Sequence, residues 1–322
     1  MLKYIIKRIL ILIPILIGIS FIVQLLLMIT PGDPARIMAG ASAEEWEYEQ
    51  IRIDLGLDKP LLERYWNFIS NAMRGDLGRS FHTKRPVFQD TMQRFPYTLL
   101  LATLSVGLAV LIGIPLGVFA ATNQYTIKDN LAILASLICV SMPSFWFALL
   151  LVQRFSVDWR LLPVAGITTW QGWVLPTVSL SLGYAASISR QMRSNMLEVV
   201  KQDYIVTARA KGQTERKVIY RHALKNALIP VVQTIGGIYG MALGGAIIAE
   251  MIFSIPGLGN YTLSALTNRD YPVIQGSVFI LSTIFCLVVL LIDIAFAFID
   301  PRIRSQYIRK TKRVVKGVAD NG

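Results

Sequence analysis

Tyr97–Ala121 reads YTLLLATLSVGLAVLIGIPLGVFAA, twenty-five consecutive residues without a charged side chain. A helix of that length reaches about 37 Å, enough to cross roughly 30 Å of hydrocarbon. A helix with one face in water would carry polar residues at regular intervals, and this run carries only a few hydroxyls. Five more runs repeat the pattern: Ile9–Ile29, Leu131–Gln153, Val174–Ser189, Leu228–Phe253 and Gly276–Ile299, with Val174–Ser189 the shortest. The chain as a whole is 54% hydrophobic and 16% charged over 322 residues, an apolar share beyond that of an ordinary soluble domain. The expectation is an all-α polytopic membrane protein with six transmembrane helices.

Charge decides the orientation. The net charge of +12 raises nucleic acid as a partner, but the basic residues sit in short blocks between apolar runs, as membrane topology requires. Lys3, Lys7, Arg8, Lys128, the nine bases of 190–227 and the seven after Ile299 make twenty on one face. Arg154, Arg160 and Arg269 are the three in the short loops of the other face. Segment 30–96 exceeds the loop length over which the rule operates, and its ten acids balance its nine bases. Twenty against three predicts cytoplasmic termini and a cytoplasmic 190–227 loop. The N-terminal run resembles a signal peptide only superficially: it is about 20 residues long and no small-x-small cleavage site follows, so a retained helix over 1–29 is expected. Cys139 and Cys286 lie alone in apolar runs and read as packing residues.

Within the extracytoplasmic segment 30–96, Leu61, Leu62, Tyr65, Trp66, Phe68, Ile69, Ala72 and Met73 follow Pro60 at helical spacing. That helix is too polar to span. It is expected on the outer face of the bundle or in the membrane interface, either as a cap or as a docking element for a solute-binding partner.

Catalytic signals are missing. No G-x-x-x-x-G-K-[ST] loop occurs, and the Lys310–Thr311 pair lacks the preceding glycines, so the chain has no ATP site of that type. His82 and His222 fall on opposite predicted faces, and no His, Cys and carboxylate cluster within the predicted spans suggests a metal. The informative cytoplasmic stretch is Asp203-Tyr-Ile-Val-Thr-Ala-Arg-Ala-Lys-Gly212, followed by a second helix from about Thr214 that runs past Pro230 into the membrane. Asp203 at the start and Arg209 and Lys211 near the end complement the helix dipole, and Gly212 supplies a left-handed stop. Tyr204, Thr207 and the small Ala208 and Ala210 complete a helix suited to a groove on another protein.

Thr207-Ala-Arg-Ala-Lys-Gly212 with Asn226-Ala-Leu-Ile-Pro230 resembles the EAA motif of type I ABC-importer permeases of the dipeptide, oligopeptide and nickel branch. Pro31-Gly-Asp-Pro34, Leu55-Gly-Leu-Asp-Lys-Pro60, Gly75-Asp-Leu-Gly78 with Ser80, Ser141-Met-Pro143, Phe253-Ser-Ile-Pro-Gly-Leu-Gly259, Arg269-Asp-Tyr-Pro-Val-Ile-Gln275 and Asp300-Pro-Arg302 carry the resemblance along nearly the whole chain. Two departures from the general EAA pattern are visible: Val206 and Thr207 stand where Glu and the first Ala would be, and the stretch from Gly212 to Pro230 is longer than the generic spacing. The resemblance implies a coupling helix at Asp203–Gly212 seated on a separate ATPase. It also implies a transmembrane domain over 97–299, a second homologous permease, two ABC ATPase subunits holding ATP and Mg, an extracytoplasmic solute-binding protein, and a bacterial inner membrane. No cofactor is expected on the chain itself. The cargo it implies is a small peptide, with glutathione or a nickel chelate as alternatives. An ion-coupled secondary transporter would need internal repeats and several intramembrane polar ligands, which are not evident here. A signalling receptor would need an attached signalling domain.

Within the spans, Gly236, Gly240 and Gly244 repeat every four residues, a pattern that admits close helix approach, either to the second permease or within the chain. Gly113 and Gly117 form a weaker version. Pro115, Pro143, Pro176 and Pro230 mark sites where helices bend. Glu250 is expected either at the outer mouth of a pathway or in a structural hydrogen bond, and Asp293 in a structural pairing near Arg302 and Arg304.

Overall fold

The computed structural model describes residues 2–29, 33–40 and 43–299; the tail from 300 to 322, Pro31–Gly32 and the side chain of Asp293 lie outside the described residues. Among those residues the chain is all-α, without a strand. The long helix α1 (Leu2–Ile29) leads into the short helices α2 (Pro34–Ala39), α3 (Glu45–Asp54) and α4 (Leu61–Ala72). Next come α5 (Val87–Thr122), α6 (Ile127–Ser141), α7 (Ser144–Leu151), α8 (Val174–Val199), α9 (Asp203–Ala210) and α10 (Glu215–Lys217). The chain finishes with α11 (Leu224–Gly245), α12 (Ile247–Ile252), α13 (Leu258–Asn268) and α14 (Tyr271–Ile299).

Among the described residues four helical stretches are long and apolar enough to cross a membrane: Ile9–Ile29, Val87–Thr122, Glu215–Gly244 and Tyr271–Ile292. The α6–α7 pair makes a fifth if its halves are one broken span, since they meet at 98°. The expected continuous helix over Leu131–Gln153 is therefore corrected to a bent pair. Pro143 lacks an N–H and forces Met142 out of the helical region, to φ −80° and ψ 125°. Two further boundaries move. Helix α5 starts ten residues before Tyr97, directly after Pro86, and α8 continues ten residues beyond Ser189, so the basic 190–227 stretch opens as helix. The expected Leu228–Phe253 span is likewise two helices, α11 and α12, and α13 went unforeseen in the loop beyond them.

Helix α8 is the centre of the bundle, packed by α5, α6, α7 and α11. Thirteen of its 26 residues are buried, including Ser179 and Ser181, whose hydroxyls donate to the helix's own carbonyls at Pro176 and Val178. Self-satisfied hydroxyls help a helix too polar for lipid sit among other helices, while Thr177 Oγ1 and Arg190 Nη1 of the same helix are buried without a partner. Its closest neighbour is α5. A methyl at Gly113 would stand 2.7 Å from the Ala185 carbonyl oxygen, and one at Gly117 2.5 Å from that of Ser189. Both glycines let α5 touch the α8 backbone, and Ala102, Val106, Ala109 and Val118 then close over Ala185, Ile188, Met192 and Met196.

Gly113→Ala and Gly117→Ala should each cost about 1–3 kcal/mol by overpacking. The open position Gly244, with no neighbour within 4 Å, should accept Ala without loss. Thermal unfolding of the three variants in detergent checks this, and equal melting temperatures at all three sites would refute the close α5–α8 contact.

Candidate functional site

Helix α9 forms because Asp203 places a carboxylate in its first turn and Arg209 a cation in its last, both favourable to the dipole. It stops at Gly212, whose φ of +72° is left-handed. The Gly212 N–H donates to the Arg209 carbonyl at 2.9 Å and the Gln213 N–H to that of Ala208 at 3.4 Å, the paired bonds of a Schellman ending. Thr207 Oγ1 donates back to the Asp203 carbonyl at 2.9 Å.

One face of α9 is sealed into the bundle. Ile205 is fully buried and Ala208 nearly so, packed with Met192 and Met196 of α8 and with Val218, Ile219 and Ala223 of the turns that lead into α11. Ala208 was expected to face a partner; it faces the chain's own core instead, because i, i+3 spacing puts it beneath Ile205. The outer face carries Asp203, Tyr204, Val206, Thr207, Arg209, Ala210, Lys211 and Gly212, with Val206 56% and Tyr204 43% exposed.

Polar clamps fix α9 to the next helical stretch. Asn226 donates its amide to the Tyr204 hydroxyl at 2.9 Å and to the His222 carbonyl at 3.2 Å. Arg209 grips Glu215 with two nitrogens, at 2.7 and 3.3 Å, and His222 Nε2 lies 2.7 Å from Gln213 Oε1. Four residues on from Asn226, Pro230 is exposed inside α11. His82, the other histidine, is engaged elsewhere, at the Asn268 carbonyl. No group of three or more His, Cys, Asp and Glu among the described residues could hold a metal.

Sequence reasoning missed the ion pair beside this assembly. Arg193, on the stretch of α8 once expected to be loop, holds Asp129 at the start of α6 with two bonds of 2.7 Å. Asp129 is 1% exposed and Arg193 23%. Nothing periodic links residues 64 apart; the one sequence signal was an isolated acid heading an apolar helix. The Tyr125 N–H completes the carboxylate's partners at 3.1 Å.

The intramembrane candidates resolve differently from each other. Gly236 and Gly240 are filled from within the chain, by Ile292 and Phe285 of α14, while Gly244 is open. Glu250 does not face an open mouth: it is fully buried, accepting from Thr98 Oγ1 at 2.5 Å and from the Asn260 N–H at 2.8 Å. A side chain at Gly257 would collide with the carboxylate, and one at Gly259 with Ile247 beside it. Glu250 is thus the lock between α5, α12 and the first turn of α13. A similar lock holds segment 30–96 to the bundle, where buried Asp270 accepts from Ser80 Oγ at 2.5 Å and the Phe81 N–H at 3.0 Å. Nearby, burial and the Asp90 carboxylate push the Tyr261 phenol up to about 12. Cys286 is buried and Cys139 half-buried, both free.

Residues 113–305 match the family described as the binding-protein-dependent transport system inner membrane component, and residues 1–102 match the N-terminal domain of such membrane components. The chain belongs to this family. It is an ABC-importer permease, a multi-pass inner-membrane and non-catalytic subunit. Among curated relatives, the glutathione transport system permease protein GsiC of Escherichia coli strain CFT073 is 42% identical over 304 residues, covering 94% of this chain and 99% of the relative. The protein of the same name from Pectobacterium atrosepticum is also 42% identical with the same coverage. Among solved structures, the fold is similar to an inward-facing MetNI methionine ABC transporter chain, with TM-score 0.58, 18% identity, and coverage of 66% of this chain and 97% of that one. An amino acid ABC transporter chain gives TM-score 0.51, 16% identity and coverage of 66% and 94%.

In the permease the Asp129–Arg193 pair ties α6 to the end of α8 that leads into α9. Asp129→Ala strands a partly buried guanidinium and should destabilise by about 1–3 kcal/mol, less than a fully buried pair because Arg193 is partly solvated. The exchange Asp129→Arg with Arg193→Asp should recover part of that loss. A double-mutant cycle on melting temperature tests it; additive losses would mean the two side chains act independently.

Proposed function

We propose that this permease forms half of the translocation pathway of an ATP-driven importer for small peptides, and that α9 is the lever through which separate ATPases drive it. The observation that carries this reading is the two-sided character of α9. Its outer face is exposed, with Tyr204 and Arg209 tied to Asn226 and Glu215 of the following stretch, while Ile205 and Ala208 are continuous with the core of α5, α8 and α11. A push on the outer face is thereby delivered to membrane helices, because close-packed interiors shift as bodies rather than deform. The partners on this reading are two ABC ATPase subunits carrying ATP and Mg, a homologous second permease and an extracytoplasmic solute-binding protein.

The topology that goes with it is six crossings, formed by α1, α5, the α6–α7 pair, α8, α11 and α14. Twenty bases against three in the short loops support cytoplasmic termini and a cytoplasmic α9. Segment 30–96 is then extracytoplasmic. For cargo, the names of the relatives favour glutathione, itself a short peptide.

The decisive measurement is uptake into proteoliposomes containing the permease, its partners and internal ATP, with labelled dipeptide, tripeptide, glutathione and nickel chelate compared. Accumulation should require ATP and the ATPases. Uptake by this chain alone on an ion gradient would sink the importer reading. For the lever, Val206→Asp should weaken ATPase co-purification about tenfold, roughly 1.4 kcal/mol, at unchanged melting temperature, since Val206 is exposed. Ala208→Trp should lower both, because its side chain points into the bundle.

A further inference from the structure

Helix α4 is apolar over one continuous side and polar over the other. Tyr65 and Phe68 face the bundle: the Tyr65 hydroxyl donates to the Ile17 carbonyl at 2.7 Å and lies 3.1 Å from Ser20 Oγ. The Tyr65 ring meets Phe21 edge-on at 5.1 Å, and Phe68 meets Phe279 of α14 edge-on at 5.9 Å. A second apolar row, Leu62, Trp66 and Met73, is 68–76% exposed. At about 100° per residue the two rows adjoin, forming one apolar arc of roughly 160°. Glu63, Asn67 and Arg74 are exposed on the remaining side, with Glu63 paired to Lys59 at 3.0 Å.

Depth distinguishes a membrane surface from a water-facing one. Ser20 precedes Ile29 in α1 by nine residues and Phe279 follows Tyr271 in α14 by eight, drops of about 14 and 12 Å by helix rise. Ile17, twelve residues before Ile29, is about 18 Å down, and the hydrocarbon layer is about 30 Å thick, so the contacts that seat α4 lie within its depth rather than above it. The surface beside them is apolar as well: Ile22 and Leu26 of α1 are 56% and 59% exposed. A water-facing helix would gain nothing from this depth, and a Trp beside Leu and Met, with charges on the far side, suits a helix lying in the bilayer surface.

We propose that α4 is an in-plane interfacial helix. Leu62, Trp66 and Met73 contact the acyl chains of the leaflet at the Ile29 end of α1, and Glu63, Asn67 and Arg74 face water. With the orientation proposed above this is the outer leaflet, but the lipid assignment does not depend on that orientation. Burying this row extends the lipid-facing belt sideways from α1 and steadies the start of segment 30–96 against the membrane.

The test places a nitroxide label on single cysteines at each of the six positions, in full chains carrying Cys139→Ala and Cys286→Ala. The permease is assembled with its ATPases in nanodiscs of phosphatidylethanolamine and phosphatidylglycerol. Collision with oxygen, which concentrates in hydrocarbon, is compared with collision with a water-soluble nickel chelate. Labels at 62, 66 and 73 should favour oxygen, and those at 63, 67 and 74 the chelate. Equal chelate access at both rows overturns the proposal, as does exclusion of both reagents from 62, 66 and 73, which would mean that protein covers the row. Independently, acyl-brominated lipid should quench a component of tryptophan fluorescence that Trp66→Phe removes; unchanged quenching in that variant would also overturn it.

Discussion

The close contact of α5 with α8 at Gly113 and Gly117 is the constraint on which the rest of the permease depends. With no side chain at either position, α5 rests against the Ala185 and Ser189 carbonyls, and the central helix gains a rigid partner along its length. Dispersion and exact fit must hold helices together in lipid, because the hydrophobic effect does not distinguish one helix from an acyl chain. From that contact the core continues through Met192 and Met196 to Ile205 and Ala208. The helix that faces the ATPase in the proposed mechanism is thus an extension of the same packed body, tightened by Asp129–Arg193 on one side and by Asn226–Tyr204 on the other.

Two buried carboxylates do comparable work at the other end of the bundle. Glu250 draws Thr98 and the 257–260 backbone together, and Asp270 draws in Ser80 and Phe81. Each is surrounded by donors, which is the condition under which a carboxyl group is tolerated away from water. Sequence reading left Glu250 open between a pathway residue and a structural bond. In the fold it is fully buried and bonded to Thr98 and the Asn260 N–H, with Gly257 leaving room for the carboxylate.

The motifs around α9 were legible because helix caps are local. Asp203, Gly212 and the charges between them act over a few residues, and the observed Schellman ending follows from them. The direction that Ala208 faces was not legible, because it depends on where α8 and the turns before α11 lie. The same limit explains the glycine repeats. Gly236 and Gly240 share the four-residue spacing of Gly113 and Gly117, yet spacing cannot name the helix that fills each groove, and here α14 of the same chain fills the first pair.

Sequence alone determined the class of the protein: long uncharged runs can be satisfied in lipid only as helices, and the ordered motifs from Leu55 to Pro230 and beyond marked it as an importer permease. It also determined where a helix stops when Gly does the stopping, as at Gly212. Tertiary structure decided what those helices do. The Asp129–Arg193 pair, the burial of Glu250, the inward face of Ala208 and the seating of α4 on Ile17, Ser20 and Phe279 join residues far apart in the chain. Their energies exist only once the fold has brought donor to acceptor and surface to surface.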